Sequence, residues 1–209
     1  MLQIFLSGLD LLITGLWILL LRLTQAVLCI LRYLRGTVFQ SLLLSSTSSL
    51  ELRAYSDADH GSDPTNRKSV TGFCIFLGDS LISWKSKKQS IVSQSSTEAE
   101  YRAMTSTTKE IIWLRWLLAD MGVSFSHPTP MYCENQSSIQ IAHNSVFHKR
   151  TKHIEIDCHL TRHHLNHGTI TLPFVPSSLQ IAYFFTKAHS ISRFRFLVGK
   201  LSMLVAAAS

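Results

Sequence analysis

Apolar residues dominate the beginning of the chain and alternate with polar residues in the remainder. Residues 1–21 are almost wholly apolar, and Asp10 is their only charged side chain. A run of this length is typical of one helix that can span a bilayer. It lacks a following small-residue cleavage site, which makes it a poor signal peptide. Three interpretations stay open for it: a membrane anchor, a buried helix, and a segment foreign to its surroundings.

A second helix is predicted over residues 26–37, where apolar positions recur at helical spacing. Val27, Ile30 and Leu34 fall on one face, and Gly36 is a typical residue for ending a helix. The polar run from Ser45 to Ser49 predicts a linker. A domain boundary is therefore expected near residue 49.

From residue 50 onward the pattern is that of a mixed α/β domain. Apolar and polar residues alternate in a first strand that ends at Asp57. An apolar segment at 71–77, a Gly-Asp turn and a further strand at 81–84 predict an antiparallel meander.

A long helix is predicted next, over 97–122, because Met104, Ile111, Leu118 and Met121 lie on one apolar stripe. The later segments predicted are a strand at 130–133, helices at 136–143 and 151–166, a strand at 169–175 and helical segments from 179 onward. The strand-then-helix order at 130–143 favours parallel pairing with the first strand.

Charge and cysteine content narrow the classes of partner and compartment. The 209 residues can form one substantial core, and 20 Lys and Arg against 13 Asp and Glu give a net charge of +7. A basic surface attracts partners that carry phosphate. The four cysteines are single and far apart, so neither a zinc site nor a disulfide framework is indicated. A reducing compartment, cytoplasmic or nuclear, is expected.

Three acidic residues are candidates for a metal site. Asp57 ends a predicted strand, Glu100 begins the long helix, and Glu134 follows another strand. Such residues can converge at the carboxyl edge of a mixed sheet, where hard cations take oxygen ligands. Each also has an ordinary alternative: Asp57 as a turn residue, with Asp59 equally well placed; Glu100 in a capping box with Thr97; Glu134 as a helix cap.

A colinear series of motifs runs through the chain. Its members are Tyr-Ser-Asp-Ala-Asp at 55–59, Arg-Lys-Ser-Val-Thr-Gly-Phe-Cys at 67–74, Ile-Ser-Trp-Lys-Ser-Lys-Lys-Gln at 82–89, Ser-Ser-Thr-Glu-Ala-Glu-Tyr-Arg-Ala at 95–103, Cys-Glu-Asn-Gln-Ser at 133–137 and Arg-Thr-Lys-His-Ile-Glu-Ile-Asp-Cys-His at 150–159. In this order they resemble the ribonuclease H domain of copia-type retrotransposon Pol polyproteins. Residues 30–37 are similar to the segment that closes the reverse transcriptase upstream of it.

The resemblance implies an RNase H-like mixed sheet with flanking helices and a two-metal site. Asp57, Glu100 and acids at 134 and 183 would bind two Mg²⁺ ions, and the site would cut the RNA strand of an RNA–DNA hybrid. Here Glu134 stands where the family usually has Asp, and Tyr183 replaces the fourth Asp. A phenol stays protonated at neutral pH and cannot replace a carboxylate ligand. We therefore expect a decayed copy with weak or no activity, in which Asp157 is a candidate stand-in acid.

The resemblance also implies an organisation and a set of partners. The expected segments are 1–25 as an apolar piece that is frame-shifted or membrane-inserted, 26–49 as a reverse-transcriptase remnant with linker, 50–189 as the RNase H-like domain and 190–209 as a helical tail. The expected partners are nucleic acid, above all an RNA–DNA hybrid, and the reverse transcriptase domain. The candidate phosphate contacts are Arg67, Lys68, Lys85, Lys87, Lys88 and Lys152. The alternative function is a membrane-anchored or non-catalytic interaction module.

Overall fold

A computed structural model describes residues 2–37, 40–144 and 154–205. Two compact units are present: one comprises residues 1–41 and 204–209, the other residues 42–203. The elements in chain order are α1 (Leu2–Thr37), β1 (Gln40–Leu42), β2 (Leu52–Ala58), β3 (Val70–Leu77), β4 (Ser80–Lys88), α2 (Ser96–Asp120), β5 (Thr129–Tyr132), α3 (Gln136–His143), α4 (Glu155–Asn166), β6 (Ile170–Thr171), a 3-10 turn (Ile181–Phe185), α5 (Ile191–Lys200) and β7 (Met203–Val205).

Helix α1 is continuous across the two segments that the sequence separated at residue 25. The helix ends at Thr37, within one residue of the predicted stop at Gly36. The stretch Leu16–Arg35 is long and apolar enough to cross a membrane, judged by length and composition. Its large apolar side chains, including Trp17 and Leu31, are exposed in the described part of α1.

The larger unit is built on a five-stranded mixed sheet with the order β4-β3-β2-β5-β6. Strands β2, β3 and β4 form the antiparallel meander, with a turn at Gly78 in a positive-φ conformation that glycine tolerates. Strand β5 runs parallel to β2, pairing Met131 with Ala54, and β6 runs parallel to β5. The predicted fold class, an antiparallel meander continued by parallel strands, is confirmed.

The hydrophobic core lies between this sheet and helices α2 and α4. Its largest fully buried side chains include Tyr101, Phe73, Ile75, Met104, Ile111, Met131 and Ile170. The predicted stripe of α2 therefore faces the sheet as far as Leu118. Met121 is 71% exposed and lies outside the core, contrary to the sequence prediction. Trp113 and Trp116 are 53% and 69% exposed, so they are surface residues rather than core.

The end of the chain is less regular than predicted. The strand expected over 169–175 is reduced to β6, and an isolated parallel bridge joins Cys133 to Phe174 beyond it. The predicted helical tail contains α5 but then continues as strand β7, which pairs with β1 in a separate two-stranded sheet.

The 3-10 turn is fastened to the sheet by a buried glutamine and a glycine. Gln180 is fully buried, its Nε2 donates to the Ser56 carbonyl at 3.0 Å, and its Oε1 accepts from the Ala182 amide at 3.1 Å. Thr186 packs against Gly72 so closely that a Cβ on Gly72 would lie 2.4 Å from the Thr186 Cγ2. Gly72 is paired with Asp57 across β2 and β3. Residues 183–187 are thus held against the end of β2.

Replacing Gly72 with Ala should loosen this contact. The added methyl group has to displace Thr186 or the turn backbone, which we expect to cost about 1 to 3 kcal/mol of unfolding free energy. Gly199→Ala is the matched control, because nothing lies within 4 Å of its added Cβ and the position is helical. Urea unfolding followed by circular dichroism measures both. Equal midpoints for Gly72→Ala and the parent protein would contradict the close packing.

Candidate metal centre

The end of β2, the start of α2 and the residue after β5 bring three carboxylates together. One oxygen from each of Asp57, Glu100 and Glu134 lies within 4.8 Å of the others. Asp57 is fully buried, Glu100 is 4% exposed, and Glu134 is half-buried. The sequence placed these residues at strand and helix ends. The parallel pairing of β2 with β5 explains why two of them share an edge of the sheet.

Glu100 does not cap its helix. Helix α2 begins one residue earlier than predicted, and the Ser95 side chain accepts from the Glu98 amide at 3.2 Å. Glu98 in turn accepts from the Gln94 amide at 2.7 Å, which completes a capping arrangement two residues before the predicted one. The alternative of a Thr97 and Glu100 capping box is wrong, and the Glu100 side chain is directed toward Asp57 instead.

Hydrogen bonds also decide between the alternative roles of Glu134 as a helix cap and of Asp59 as a member of the site. Asn135, rather than Glu134, caps α3 by accepting from the Ser138 amide at 3.0 Å. Asp59 accepts from the Ser62 hydroxyl and the Val70 amide, so it organises the loop after β2. It is not one of the three clustered acids.

The buried oxygens of the cluster are under-satisfied. Among the described residues, Asp57 Oδ1 and Glu100 Oε2 have no hydrogen-bond partner. Burial raises the pKa of the Glu100 carboxyl well above 4.5, and the negative charge of Asp57 raises it further. Burial also raises the pKa of Asp57, against the opposing effect of the Lys187 ammonium. Close, desolvated and unpartnered carboxylate oxygens fit a hard divalent cation, which would supply the missing positive charge.

Residues 183–187, where the resemblance implies a fourth acid, present hydrogen-bond donors and a cation to the cluster. The Tyr183 hydroxyl donates to Glu134, and the Thr186 hydroxyl donates to Asp57. Lys187 Nζ lies 3.7 Å from Asp57 Oδ2 and 3.8 Å from Glu134 Oε1. Burial and the Glu134 carboxylate raise the pKa of the Tyr183 phenol, which keeps it protonated.

Sequence reasoning missed Thr186 and Lys187 as members of the site. Their signal was available, because both belong to the Thr-Lys pair that follows the substituted position 183. The proposed stand-in acid, Asp157, lies elsewhere. It lines a groove of about 460 Å³ between β4 and the helices rather than the carboxylate cluster.

This groove is strongly basic. The residues that line it are Thr71, Lys85, Lys87, Lys88, Gln89, Ser90, Arg102, Thr105, Ser106, Lys109 and Asp157. Three of the predicted phosphate contacts are thus together on β4. Arg67 and Lys68 lie in the loop before β3, and Lys152 lies outside the described residues. One lining residue, Thr71, pairs with Ala58 next to Asp57 in the sequence, but successive side chains of a strand point to opposite faces, and none of the three clustered acids lines the groove.

Comparisons with known proteins give a consistent picture. No family model matches the chain. It is 39% identical over 175 residues to the Retrovirus-related Pol polyprotein from transposon RE2 of Arabidopsis thaliana, covering 84% of this chain and 12% of that protein. It is 44% identical over 138 residues to the corresponding polyprotein from transposon TNT 1-94 of Nicotiana tabacum, covering 66% of this chain and 10% of that protein.

Solved structures similar to the chain include LC11-RNase H1, isolated from compost by a metagenomic approach. That match has a TM-score of 0.49 and 13% identity, and it covers 66% of this chain and 93% of that one. The chain spans about an eighth of the length of the Pol polyproteins, since it matches 12% of the RE2 protein. Within that span the identity is extensive, and the chain belongs to the family of copia-type, retrovirus-related Pol polyproteins.

Proposed function

We propose that this chain is an RNase H-like domain that binds RNA–DNA hybrids and cleaves the RNA strand with impaired efficiency. The observation that carries the proposal is the convergence of Asp57, Glu100 and Glu134 at one edge of the sheet, with Tyr183 where the family resemblance calls for an acid. The three carboxylates would supply the metal ligands, and Tyr183 would reduce turnover because it offers no fourth anionic oxygen.

The three carboxylates would hold Mg²⁺. Bound divalent cations would supply charge neutralisation at the scissile phosphate and an activated water. The chain's own contribution is to fix the ligands. Asp57 is held by its strand, and Glu100 is freed from capping by Ser95 and Glu98. A site prepared in this way binds a cation without first reorganising its ligands.

Two features support impaired turnover. Tyr183 donates a hydrogen bond to Glu134, so it occupies one Glu134 oxygen instead of offering an anionic oxygen of its own. Glu134 also carries one methylene more than the Asp of the family, which moves its carboxylate further from its backbone. A two-metal site that lacks one ligand should hold its second cation poorly.

Nucleic-acid binding is supported by charge and by position. The net charge is +7, and several lysines line the groove between β4 and α2. Phosphate contacts of this kind position a nucleic acid without reading its sequence. The groove would guide one backbone of the hybrid past the cluster. By family membership, the proposed protein partner is the reverse transcriptase domain of a Pol polyprotein.

A second candidate is a membrane-anchored, non-catalytic nucleic-acid-binding module. The observation that favours it is the stretch Leu16–Arg35 of α1, whose length and composition suit a membrane span and whose large apolar side chains are exposed. In the first candidate the protein acts in the cytoplasm or nucleus. Carbonate-resistant membrane association of the full chain, lost when residues 1–24 are removed, would support the second.

Restoring the missing acid should restore rate. With Mg²⁺, Tyr183→Asp should cleave hybrid at least roughly tenfold faster than the parent protein, since changes around metal ligands shift activity by about 10 to 100-fold. Glu134→Asp should gain less, because it adjusts a ligand that is already present. A gel-based cleavage assay on a labelled hybrid measures both. Asp57→Asn in the Tyr183→Asp background is the control and should abolish cleavage. Full activity of the parent protein would refute the impairment.

Hybrid binding should weaken as salt rises from about 50 to about 200 mM, because binding by lysines releases counterions. Lys85→Gln and Lys87→Gln should each reduce the slope of log affinity against log salt by about 1. Lys200→Gln on α5, outside the groove, is the control with the same charge change. Fluorescence anisotropy measures the affinities. Equal slopes for all four proteins would exclude the groove as the phosphate contact.

Charge on Glu100 should destabilise the cation-free protein. The pKa of Glu100 is raised in the folded state. Between pH 4.5 and that raised pKa, the folded protein therefore binds more protons than the unfolded protein. Its free energy of unfolding falls as pH rises across this range. In EDTA near pH 8, Glu100→Gln should therefore be more stable than the parent protein by about 1 to 3 kcal/mol. The difference should shrink toward about pH 5.

Glu98→Gln is the matched control for this experiment. Glu98 is equally buried on the same helix, but it is paired with Arg102 at 2.7 Å and caps the helix, so its neutralisation should lower stability. Chemical denaturation at several pH values measures both variants. A loss of stability in Glu100→Gln as large as in Glu98→Gln would show that Glu100 has a structural role instead.

A further inference from the structure

Lys187 is the one cation among the described residues that forms ion pairs within the carboxylate cluster. Its ammonium lies 3.7 Å from Asp57 Oδ2 and 3.8 Å from Glu134 Oε1, so it is shared between the two acids. The side chain reaches the cluster over the face of Tyr183, with Nζ 3.6 Å from the ring centroid. A cation at this distance is attracted to the negative face of the ring.

The residue at 183 is therefore linked to the position of Lys187. An Asp at 183 would be a fourth negative ligand, whereas Tyr183 supplies a ring under the ammonium and a hydroxyl to Glu134. The segment 183–187 contributes two hydroxyl groups to the cluster, those of Tyr183 and Thr186, and the positive charge of Lys187. With Tyr at 183, the segment therefore offers the cluster hydrogen-bond donors and the Lys187 ammonium, and no fourth carboxylate.

The ammonium serves one side of the cluster only. It contacts Asp57 Oδ2 and Glu134 Oε1, whereas the oxygens without hydrogen-bond partners among the described residues are Asp57 Oδ1 and Glu100 Oε2. The carboxylate pair Asp57 and Glu100 is thus left for an external cation. Two positive charges cannot approach the same Asp57 and Glu134 oxygens without repulsion.

We propose that Lys187 is a built-in counter-ion that takes the place of one divalent cation between Asp57 and Glu134. The cluster then binds one divalent cation, through Asp57 and Glu100, and excludes a second until the ammonium is displaced. The Lys187 side chain is 37% exposed, so the ammonium can move out into solvent when it is displaced. The inference rests on the proposed function in one respect, the ability of the cluster to bind divalent cations.

The test is a cation titration of the full chain in metal-free buffer. Isothermal titration with Mn²⁺, with electron paramagnetic resonance to count bound ions, should give one site in the parent protein. Lys187→Met removes the charge and keeps the length, and it should bind a second ion at least about tenfold more tightly than the parent does. Lys187→Arg keeps the charge and should retain one site. Lys200→Met is the matched control for the loss of one positive charge.

Thermal unfolding in EDTA gives a readout that needs no metal. Lys187→Met should lower the melting temperature relative to Lys200→Met, because Asp57 and Glu134 lose their counter-ion, and saturating Mn²⁺ should remove the difference. Lys187→Gln provides a second uncharged variant if Lys187→Met does not fold. Unchanged ion count and affinity in the uncharged variants would overturn the counter-ion role and leave the cation site intact. Failure of both parent and variants to bind Mn²⁺ would overturn the inference together with the proposed function.

Discussion

Electrostatic repulsion between buried carboxylates is the constraint on which this structure depends. Asp57 and Glu100 are both removed from water, and beyond the effect of burial the negative charge of Asp57 raises the pKa of Glu100. The surrounding contacts keep them together despite this cost. Ser95 and Glu98 form the helix cap that leaves Glu100 free, and Gln180 fixes the 3-10 turn to the strand that carries Asp57. A fold that maintains such a pair has positioned it for positive charge.

The positive charge available within the chain explains how the substitution at 183 is accommodated. An ordinary loss of an acid would leave a gap, but Tyr183 fills the space, donates to Glu134 and supports Lys187. The close packing of Thr186 on Gly72 leaves little freedom for residues 183–187 to move away. The segment is therefore compatible with a stable domain, and under the proposed function it would disfavour a second metal ion. At this position a change that is tolerated for stability would be unfavourable for catalysis.

Periodicity explains which parts of the fold were predictable from sequence. The meander, the parallel pairing of β5 with β2 and the bounds of α3 follow from local patterns. The prediction for Met121 failed because the end of a helical pattern depends on tertiary packing. In the site, too, some features follow from local sequence and others depend on tertiary packing. Its three acids were found by position and by resemblance, but the choice between capping and clustering depended on where the chain enters α2. The Thr-Lys pair at 186–187 was a sequence signal, but the contacts of Lys187 with Asp57 and Glu134 follow only from the distances.

The basic groove and the altered cluster have opposite consequences for a bound nucleic acid. A phosphodiester near Asp57 meets repulsion from the carboxylates unless cations intervene, and a fourth acid would add to it. With Tyr183 and Lys187 present instead of a fourth acid, the negative potential at the cluster is weaker than four acids would make it. Under the proposed function, hybrid binding would therefore depend less on divalent cations than cleavage does. Tyr183 and Lys187 would make the domain better suited to hold a hybrid than to cut it.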